Sequence, residues 1–450
     1  MYGGGVTHQL DQIATTYLLA AIHLGLYGLA LVLTRYPVIS VFHFVLAISA
    51  VSYGVRPLLS ASEGGHTNLS FVGSWSLYNQ GLLIQLLFNA ILILAYLISW
   101  KLRRKVQAPL ENAVSLKGLL LSLGLGVGAV AAMPMLSGVA WFATERTVAL
   151  TQIVPMGRFL FPLAAVSLSV SLVLAYGYSQ RPRSGKFVAF GAFCLALFLL
   201  TVLYQRGFVI SGLILVLWLV GKRGSVGYLK AGLVVLVLMV ALTTLRPIAH
   251  FIFTGNLQQL VSPVESQGSA IKNALLYSTN FDVIEVWPVT LGFVNDHGLL
   301  WGKSILAIPA RFMPLRWRAE HGMFTAMDYL NFYYWGNRYL DTNFGFNVII
   351  SQELFVNFGY FALGLAAVLG VLTSLVDRWL YALKKLNMTN LYRVATAFAI
   401  GGFTSEMGGL LQWGIVFLGL GWGLGFLERL RLTSGKQLPG KVNKNGAVIG

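Results

Sequence analysis

Apolar segments about as long as the helix needed to cross a bilayer recur along the whole chain. Charged positions fall mainly in the connections between them. We predict eleven such segments, at residues 13–33, 38–53, 80–99, 116–137, 158–178, 187–204, 208–220, 231–245, 353–376, 393–408 and 410–427. A buried core in a soluble domain would not repeat this length, so the pattern predicts an all-α integral membrane protein.

One connection is much longer than ordinary connections and separates two groups of predicted helices. With a basic tail, the chain has four parts. We predict transmembrane helices 1 to 8 over residues 1–245, a long extracytoplasmic loop over 246–352, helices 9 to 11 over 353–428, and a basic cytoplasmic tail over 429–450. The loop contains the stretch "SILAIPARFMPLRW", which mixes apolar and basic positions and carries two prolines. This stretch predicts short helices lying along the membrane interface.

Composition supports the membrane prediction, since 56% of residues are hydrophobic and only 10% are charged, whereas soluble domains have roughly a quarter charged. The net charge of +17 does not indicate a nucleic-acid partner, because the positive charge is unevenly placed. If the N-terminus lies outside, the inside segments hold 21 of the 32 basic residues and three of the 15 acids. The positive-inside rule therefore predicts an outer N-terminus, a cytoplasmic C-terminus and an outer long loop.

Motifs for soluble cofactors are missing from the sequence. The single cysteine, Cys194, cannot form an intrachain disulfide, and there is no GxGxxG, Walker A, CxxC or HExxH pattern. We therefore expect no cofactor and no metal site.

An arginine interrupts the apolar stretch "FLLTVLYQRGFVISGLILVLWLVGKRG" at the outer mouth of a predicted hairpin. Arg206 is followed by Gly207, and Arg246 closes the next apolar segment on the same side. A charge near hydrocarbon costs a few kcal/mol, so it is usually paired, solvated or functional. Each arginine either reaches lipid phosphate as a helix anchor or binds a phosphate-containing ligand, for which the guanidinium is well suited.

The long loop combines aromatic rings with basic and acidic groups. Its aromatic side chains suit either stacking on sugar rings or the membrane interface, and the candidates for sugar binding are Trp317, Tyr333 and Trp335. Basic residues among carboxylates and a histidine suit an anionic leaving group and a proton-accepting base. The candidates for these roles are Arg311, Arg316, Glu320, His321 and Asp341.

Two further acids lie at the outer ends of predicted helices. Glu353 begins the ninth segment, where a helix N-terminus favours an anion and a structural role is an alternative to a catalytic one. Glu406 falls in the turn of the last hairpin, and we expect it to be solvated there. We expect the apolar segments themselves to lack buried acids, which favours an enzyme over a transporter.

Four features of the chain together resemble the Wzy-type oligosaccharide repeat-unit polymerases. These are the outer-facing Arg206–Gly207, the basic Arg246, the loop sequence "GKSILAIPARFMP" at 302–314, and "QELFVNFG" at 352–359, which is similar to the family's E-x-x-x-N-F-G. The resemblance is best over residues 200–427, and the first 180 residues match only in hydropathy and topology.

The resemblance implies a GT-C-like membrane glycosyltransferase at the outer leaflet of the bacterial inner membrane. Its substrates would be polyprenyl-diphosphate-linked oligosaccharides: the growing chain leaves its lipid diphosphate and moves onto a fresh repeat unit, without a nucleotide sugar. A chain-length regulator, a flippase and membrane lipids would be its partners.

The hypothetical site has a diphosphate part and a base. Arg206 and Arg246 bind the diphosphate with help from Arg311 and Arg316. The base that activates the acceptor hydroxyl is one of four residues, with His321 and Glu353 favoured: His321, Glu320, Asp341 and Glu353.

Two other functions remain open from sequence. An O-antigen ligase shares the fold and the donor but uses a lipid A or protein acceptor. A transporter of lipid-linked glycan belongs to a different class.

Overall fold

A computed structural model describes residues 4–34, 40–62, 75–101, 111–112, 114–137, 155–179, 183–203, 206–223, 282–342, 345–401 and 406–433. These residues are almost entirely helical, which confirms the predicted all-α class. The only pairing of strands among them is a two-residue parallel one between β1 (Glu111–Asn112) and β2 (Lys385–Leu386).

The described α-helices are numbered here in chain order. They are α1 Gly4–Leu33, α2 Val41–Ser49, α3 Arg56–Ser62, α4 Trp75–Lys101, α5 Leu116–Ser137, α6 Pro155–Ser179, α7 Arg183–Val202, α8 Arg206–Arg223, α9 Trp287–His297, α10 Lys303–Leu306, α11 Leu315–Glu320, α12 Ala326–Trp335, α13 Asn337–Thr342, α14 Ile350–Phe358, α15 Ala362–Ala382, α16 Met388–Gly401 and α17 Met407–Thr433.

Six helical segments of the described chain are long and apolar enough to cross a membrane. They are Leu10–Leu33, Val41–Ser62, Trp75–Lys101, Leu116–Met133, Ile350–Ala382 and Met407–Leu427. Two shorter apolar helices, Leu163–Ser179 and Gly185–Leu200, fall where the fifth and sixth segments were predicted. The predicted segment 231–245 lies outside the described residues. The protein is thus a multi-pass helical membrane protein, and eleven spans remain a prediction.

Two of the predicted segments are built differently from simple helices. The second continues through a π-helix, Ala50–Val55, into α3 and so reaches Ser62 instead of residue 53. The ninth begins at Ile350 and breaks after Phe358, where Gly359 takes a φ of +57° that an L side chain adopts only with strain. A short 3₁₀ turn, Gly359–Phe361, then leads into α15.

Helices α4 and α15 pack side by side. Gly370 of α15 lies directly against the backbone of α4, because an added Cβ would overlap the carbonyl oxygen of Leu92. Further along both helices, Arg378 donates a hydrogen bond to the carbonyl oxygen of Ser99. The two helices therefore run alongside one another from the Gly370–Leu92 contact to the Arg378–Ser99 contact.

At that end a buried acid holds three elements together. Asp377 of α15 is fully buried, and its carboxylate accepts hydrogen bonds from the backbone N–H of Val41 at 2.8 Å and of Phe42 at 3.2 Å. It also accepts from the hydroxyl of Tyr96 at 2.9 Å. The carboxylate thus caps the N-terminus of α2, where an anion is stabilised by unpaired N–H groups.

Buried charge also occurs near the other end of the bundle. Arg56 of α3 pairs with Glu285 at 2.8 Å, and both side chains are fully buried. Glu285 belongs to the predicted loop 246–352 and Asp377 directly follows the predicted segment 353–376, so neither acid falls inside a predicted apolar segment, yet both are buried. The sequence could not reveal this burial, because the residues that shield these charges come from distant parts of the chain.

We predict that Gly370→Ala destabilises the protein by about 1–3 kcal/mol, because the new methyl group forces α15 away from the α4 backbone. Gly364→Ala is the matched control on the same helix, since nothing lies within 4 Å of its Cβ position. There the better helix propensity of alanine should add up to about 1 kcal/mol. Thermal unfolding of the two variants in detergent measures the difference; equal midpoints would contradict the close approach.

Candidate functional site

The loop helices form a layer on the end of the bundle where α14 begins and α17 starts. Helices α9 and α12 pack on α14 through a separate apolar cluster. Its buried members are Val286, Val289, Phe293, Ala326, Leu330, Phe346, Val348 and Val356. The short helices α10 and α11 and the 3₁₀ turn Ile308–Phe312 agree with the short helices predicted for "SILAIPARFMPLRW".

Backbone hydrogen bonds fix the loop to α14. Leu300 and Trp301 donate to the carbonyl oxygens of Val356 and Asn357, both at 3.0 Å. The amide of Asn357 accepts from the N–H of Gly302 at 3.0 Å and donates to the hydroxyl of Ser304 at 2.7 Å. The "NFG" part of the motif-like stretch thus ties residues 300–304 to the end of α14.

Glu353 lies in the first turn of α14 and is fully buried. Its Oε2 accepts a hydrogen bond of 2.5 Å from the backbone N–H of Met407, the first residue of α17. Its Oε1 is buried and has no hydrogen-bond partner among the described residues. One carboxylate oxygen therefore remains available within an otherwise closed site.

Glu406 is fully buried, which corrects the expectation of a solvated acid in the last hairpin. Its Oε1 forms an ion pair with Arg311, and its Oε2 accepts from the N–H of Met327 at 2.7 Å. Burial raises the pKa of Glu406, while Arg311 and the Met327 N–H act in the opposite direction. The acid is buried because Arg311 and the start of α12, both from the long loop, pack over it.

Arg311 joins the two acids into one unit. It pairs with Glu406 and also interacts electrostatically with Glu353, which in turn is repelled by Glu406. The side chain of Arg311 is 15% exposed, whereas both acids are inaccessible. We call Arg311, Glu353 and Glu406 the carboxylate–arginine cluster. Two carboxylates and one guanidinium give it an excess of negative charge when both acids are ionised.

A second ion pair stabilises the loop layer beside this cluster. Arg318 of α11 pairs with the buried Asp328 of α12. Asp328 also accepts from the N–H of Thr325 at 3.0 Å and from the hydroxyl of Tyr339 at 2.8 Å. Burial and the neighbouring carboxylate of Asp328 raise the pKa of Tyr339, so its hydroxyl stays protonated and donates. These contacts hold α11, α12 and α13 in place.

The other acid–base candidates from sequence lie elsewhere. His321 is exposed at the end of α11, where its Nδ1 lies 2.8 Å from the carbonyl oxygen of Trp317 and its ring stacks on the Trp317 ring at 4.1 Å. Glu320 and Arg316 are exposed on the same short helix. Among the described contacts, none joins His321 or Glu320 to the carboxylate–arginine cluster.

Two aromatic candidates for sugar binding lie on α12. The hydroxyl of Tyr333 donates to Asp296 at 2.6 Å, and this hydrogen bond to the carboxylate raises the pKa of Tyr333. Arg338 lies over the ring of Trp335 at 5.7 Å from its centroid. Their partners keep both rings in fixed orientations at the surface of the loop layer.

For three of the candidate residues the structure describes no side chain. Arg246 lies outside the described residues, and only the backbone is described for Arg206, at the start of α8, and for Asp341, in α13.

Within the described ranges, no three His, Cys, Asp or Glu side chains meet in a way that could hold a metal ion. Comparisons of the chain with protein-family profiles, with curated proteins and with solved structures returned no match.

We predict that Arg311→Ala lowers the free energy of unfolding by about 3–5 kcal/mol near neutral pH, because it leaves the buried Glu406 without its cation. Without Arg311 the raised pKa of Glu406 should rise further. A carboxyl whose pKa is raised in the folded state loses stability as pH increases through that pKa. The deficit relative to the wild type should therefore shrink at about pH 5 and widen at about pH 8.

Thermal unfolding at both pH values measures this deficit. Adding Glu406→Gln to Arg311→Ala should recover part of the loss. Lys303→Ala, at an exposed position of α10, is the control and should change stability by no more than about 0.5 kcal/mol. A deficit that is identical at both pH values would contradict the role of Glu406 as the titrating partner.

Proposed function

We propose that the chain is a membrane glycosyltransferase that polymerises polyprenyl-diphosphate-linked oligosaccharide repeat units at the outer leaflet of the bacterial inner membrane. The observation that carries the proposal is the carboxylate–arginine cluster. It combines a cation for an anionic leaving group with a carboxylate oxygen that has no partner among the described residues. The resemblance of residues 200–427 to the Wzy-type polymerases supports the same reaction and a GT-C-like fold.

In the proposed reaction Glu353 is the general base. It removes the proton from a hydroxyl of the acceptor sugar, and that oxygen attacks the anomeric carbon of the growing chain. The bond from the anomeric carbon to the diphosphate oxygen breaks, and polyprenyl diphosphate leaves with the bonding electron pair. Arg311 stabilises the negative charge on the diphosphate, to which a guanidinium can donate two parallel hydrogen bonds. Arg206, Arg246 and Arg316 extend this anion site.

Glu353 is favoured over His321 by its surroundings. Its unpartnered Oε1 is buried in the same cluster as Arg311, so a base and an anion-binding group share one site. His321 is exposed and engaged with Trp317. Since Glu353 is inaccessible, the acceptor reaches it only when Arg311 exchanges Glu406 for the diphosphate and the 3₁₀ turn Ile308–Phe312 moves aside.

A transporter of lipid-linked glycan is the second candidate, and a specific observation favours it. The pair Arg56–Glu285 and the acid Asp377 are fully buried within the bundle, and charges buried in membrane helices often mark a translocation path. The enzyme is preferred because Asp377 has three hydrogen-bond donors and caps a helix, which is a structural role.

Purified protein supplied with a synthetic polyprenyl-diphosphate oligosaccharide, without nucleotide sugar or ATP, tests the proposal. A ladder of longer lipid-linked glycans with release of polyprenyl diphosphate is expected. Transfer that occurs only after a lipid A acceptor is added would instead indicate a ligase. Movement of the lipid-linked glycan across liposomes without a ladder would indicate the transporter.

We predict that Glu353→Gln lowers the elongation rate in this assay by about 10²–10⁴-fold, because an amide of the same size cannot accept the proton. Glu320→Gln is the matched control, since Glu320 is exposed on α11 and should elongate at nearly the wild-type rate. Quantified ladder formation by both variants, at equal amounts of folded protein, measures the effect. Full activity of Glu353→Gln would rule out this residue as the base.

We further predict that Arg206→Ala abolishes polymer while the protein still inserts into the membrane, since the variant loses a cation of the diphosphate site. Chain length in cells and the amount of membrane-inserted protein are the two measurements. Chains of normal length would reject the phosphate role of Arg206.

A further inference from the structure

A cavity of about 30 Å³ lies inside the bundle between α2, the π-helix, α4 and the start of α14. Its described lining contains both apolar and polar side chains. The apolar ones are valine, isoleucine, leucine and phenylalanine, and the polar ones carry neutral hydroxyl or amide groups. The polar lining residues are Ser49, Ser52, Tyr53, Gln85, Asn89 and Ser351.

The π-helix contributes the most unusual of these groups. π-Helical turns are rare and are frequent at functional sites. Ser52, within the Ala50–Val55 turn, is 1% exposed, and its Oγ has no hydrogen-bond partner among the described residues. Buried hydroxyl groups are normally bonded to protein or to ordered water. Ser52 lines the cavity, so a polar molecule bound there can form a hydrogen bond with this hydroxyl.

The neighbouring amides are engaged with other groups. Ser351 donates to Oε1 of Gln85 at 2.7 Å, and Nε2 of Gln85 donates to Oδ1 of Asn89 at 3.0 Å. Asn89 in turn donates to the hydroxyl of Tyr27 at 2.6 Å. In this series each group donates to the next one away from α14, and none of these hydrogen bonds involves Ser52. The hydroxyl of Ser52 can therefore bond to a molecule inside the cavity.

We propose that this cavity is a water-binding site inside the bundle, filled by about two water molecules bound to Ser52 and to its polar neighbours. About 10–15 Å³ of such volume holds one water, and the six polar side chains named above line the cavity. Among the described residues that line the cavity, none is a carboxylate, lysine, arginine or histidine, so an ion would lack a counter-charge from them. An apolar ligand would leave the hydroxyl and amide groups unmatched.

The position of the site links it to the loop layer. Ser351 precedes Glu353 by two residues on α14, so the bound water lies beside the helix that carries the proposed base. The inference does not depend on the proposed glycosyl transfer, because the cavity and the unpartnered hydroxyl are present without any substrate.

Hydroxyl-radical footprinting with mass spectrometry tests the proposal on the full-length protein in lipid nanodiscs. Bound water generates the radical in place, so Tyr53, which is 3% exposed, should be oxidised several-fold faster than its exposure allows. Tyr392 is the internal control, because it is fully buried in the bundle and does not line the cavity. Ser52→Val, which fills the space and removes the hydroxyl, should bring the labelling of Tyr53 down to that of Tyr392.

The matched variant is Ser171→Val, since Ser171 is buried on α6 away from the cavity and should leave the labelling of Tyr53 unchanged. Labelling of Tyr53 at the level of Tyr392 in the wild type, or labelling that Ser52→Val does not reduce, would overturn the proposal.

Thermal unfolding of Ser52→Ala is a second test, because the unfolding midpoint should shift in opposite directions for a hydrated and a dry cavity. If the cavity is hydrated, the variant loses hydrogen bonds to water and its unfolding midpoint falls. If the cavity is dry, the variant removes an unsatisfied buried hydroxyl and its midpoint rises, which would overturn the proposal.

Discussion

Carboxylates buried in an apolar bundle have to find donors within the protein, and here they find them at the N-termini of helices. Asp377 accepts from Val41 and Phe42 at the start of α2, and Glu353 accepts from Met407 at the start of α17. Glu406 and Asp328 do the same at the start of α12. The first turn of a helix has unpaired N–H groups and a positive partial charge, so each acid stabilises an end that would otherwise be unsatisfied.

For Asp377, Glu353 and Glu406, this arrangement places the acid at a junction between elements that are distant in sequence. Glu406 and Arg311 are 95 residues apart, and Asp377 lies 336 residues from Val41. Each acid therefore sets the relative position of two helices as well as its own environment. At the junction of α14, α17 and the loop, the described part of the chain brings together two acids and one arginine in the carboxylate–arginine cluster. The proposed reaction uses that imbalance: the spare carboxylate oxygen accepts a proton, and the shared arginine can exchange a carboxylate for a diphosphate.

The buried polar groups elsewhere in the bundle have other physical roles. Arg56 and Glu285 neutralise one another, while the hydroxyl and amide groups around Ser52 are neutral and face a cavity of water size. Burying a pair of opposite charges is costly unless the pair is close and well bonded. The separation of 2.8 Å meets the first condition. Because these buried polar groups have structural explanations, their presence in the bundle does not by itself identify a transporter.

The sequence by itself determined the class of protein. Hydropathy depends on local composition, and a run of apolar residues predicts a membrane helix whichever neighbour it packs against. Another local pattern, apolar and basic positions mixed with two prolines, predicted the short helices of the long loop. The break at Gly359 and the π-helix Ala50–Val55 were not predicted, because apolar composition continues through both and only packing against other helices selects the local geometry. The site was decided by tertiary structure, because the sequence alone favoured His321 and Glu353 alike as the base and predicted a solvated Glu406. Only the folding of the loop over the bundle buries Glu353 and Glu406 beside Arg311 and leaves His321 in solvent.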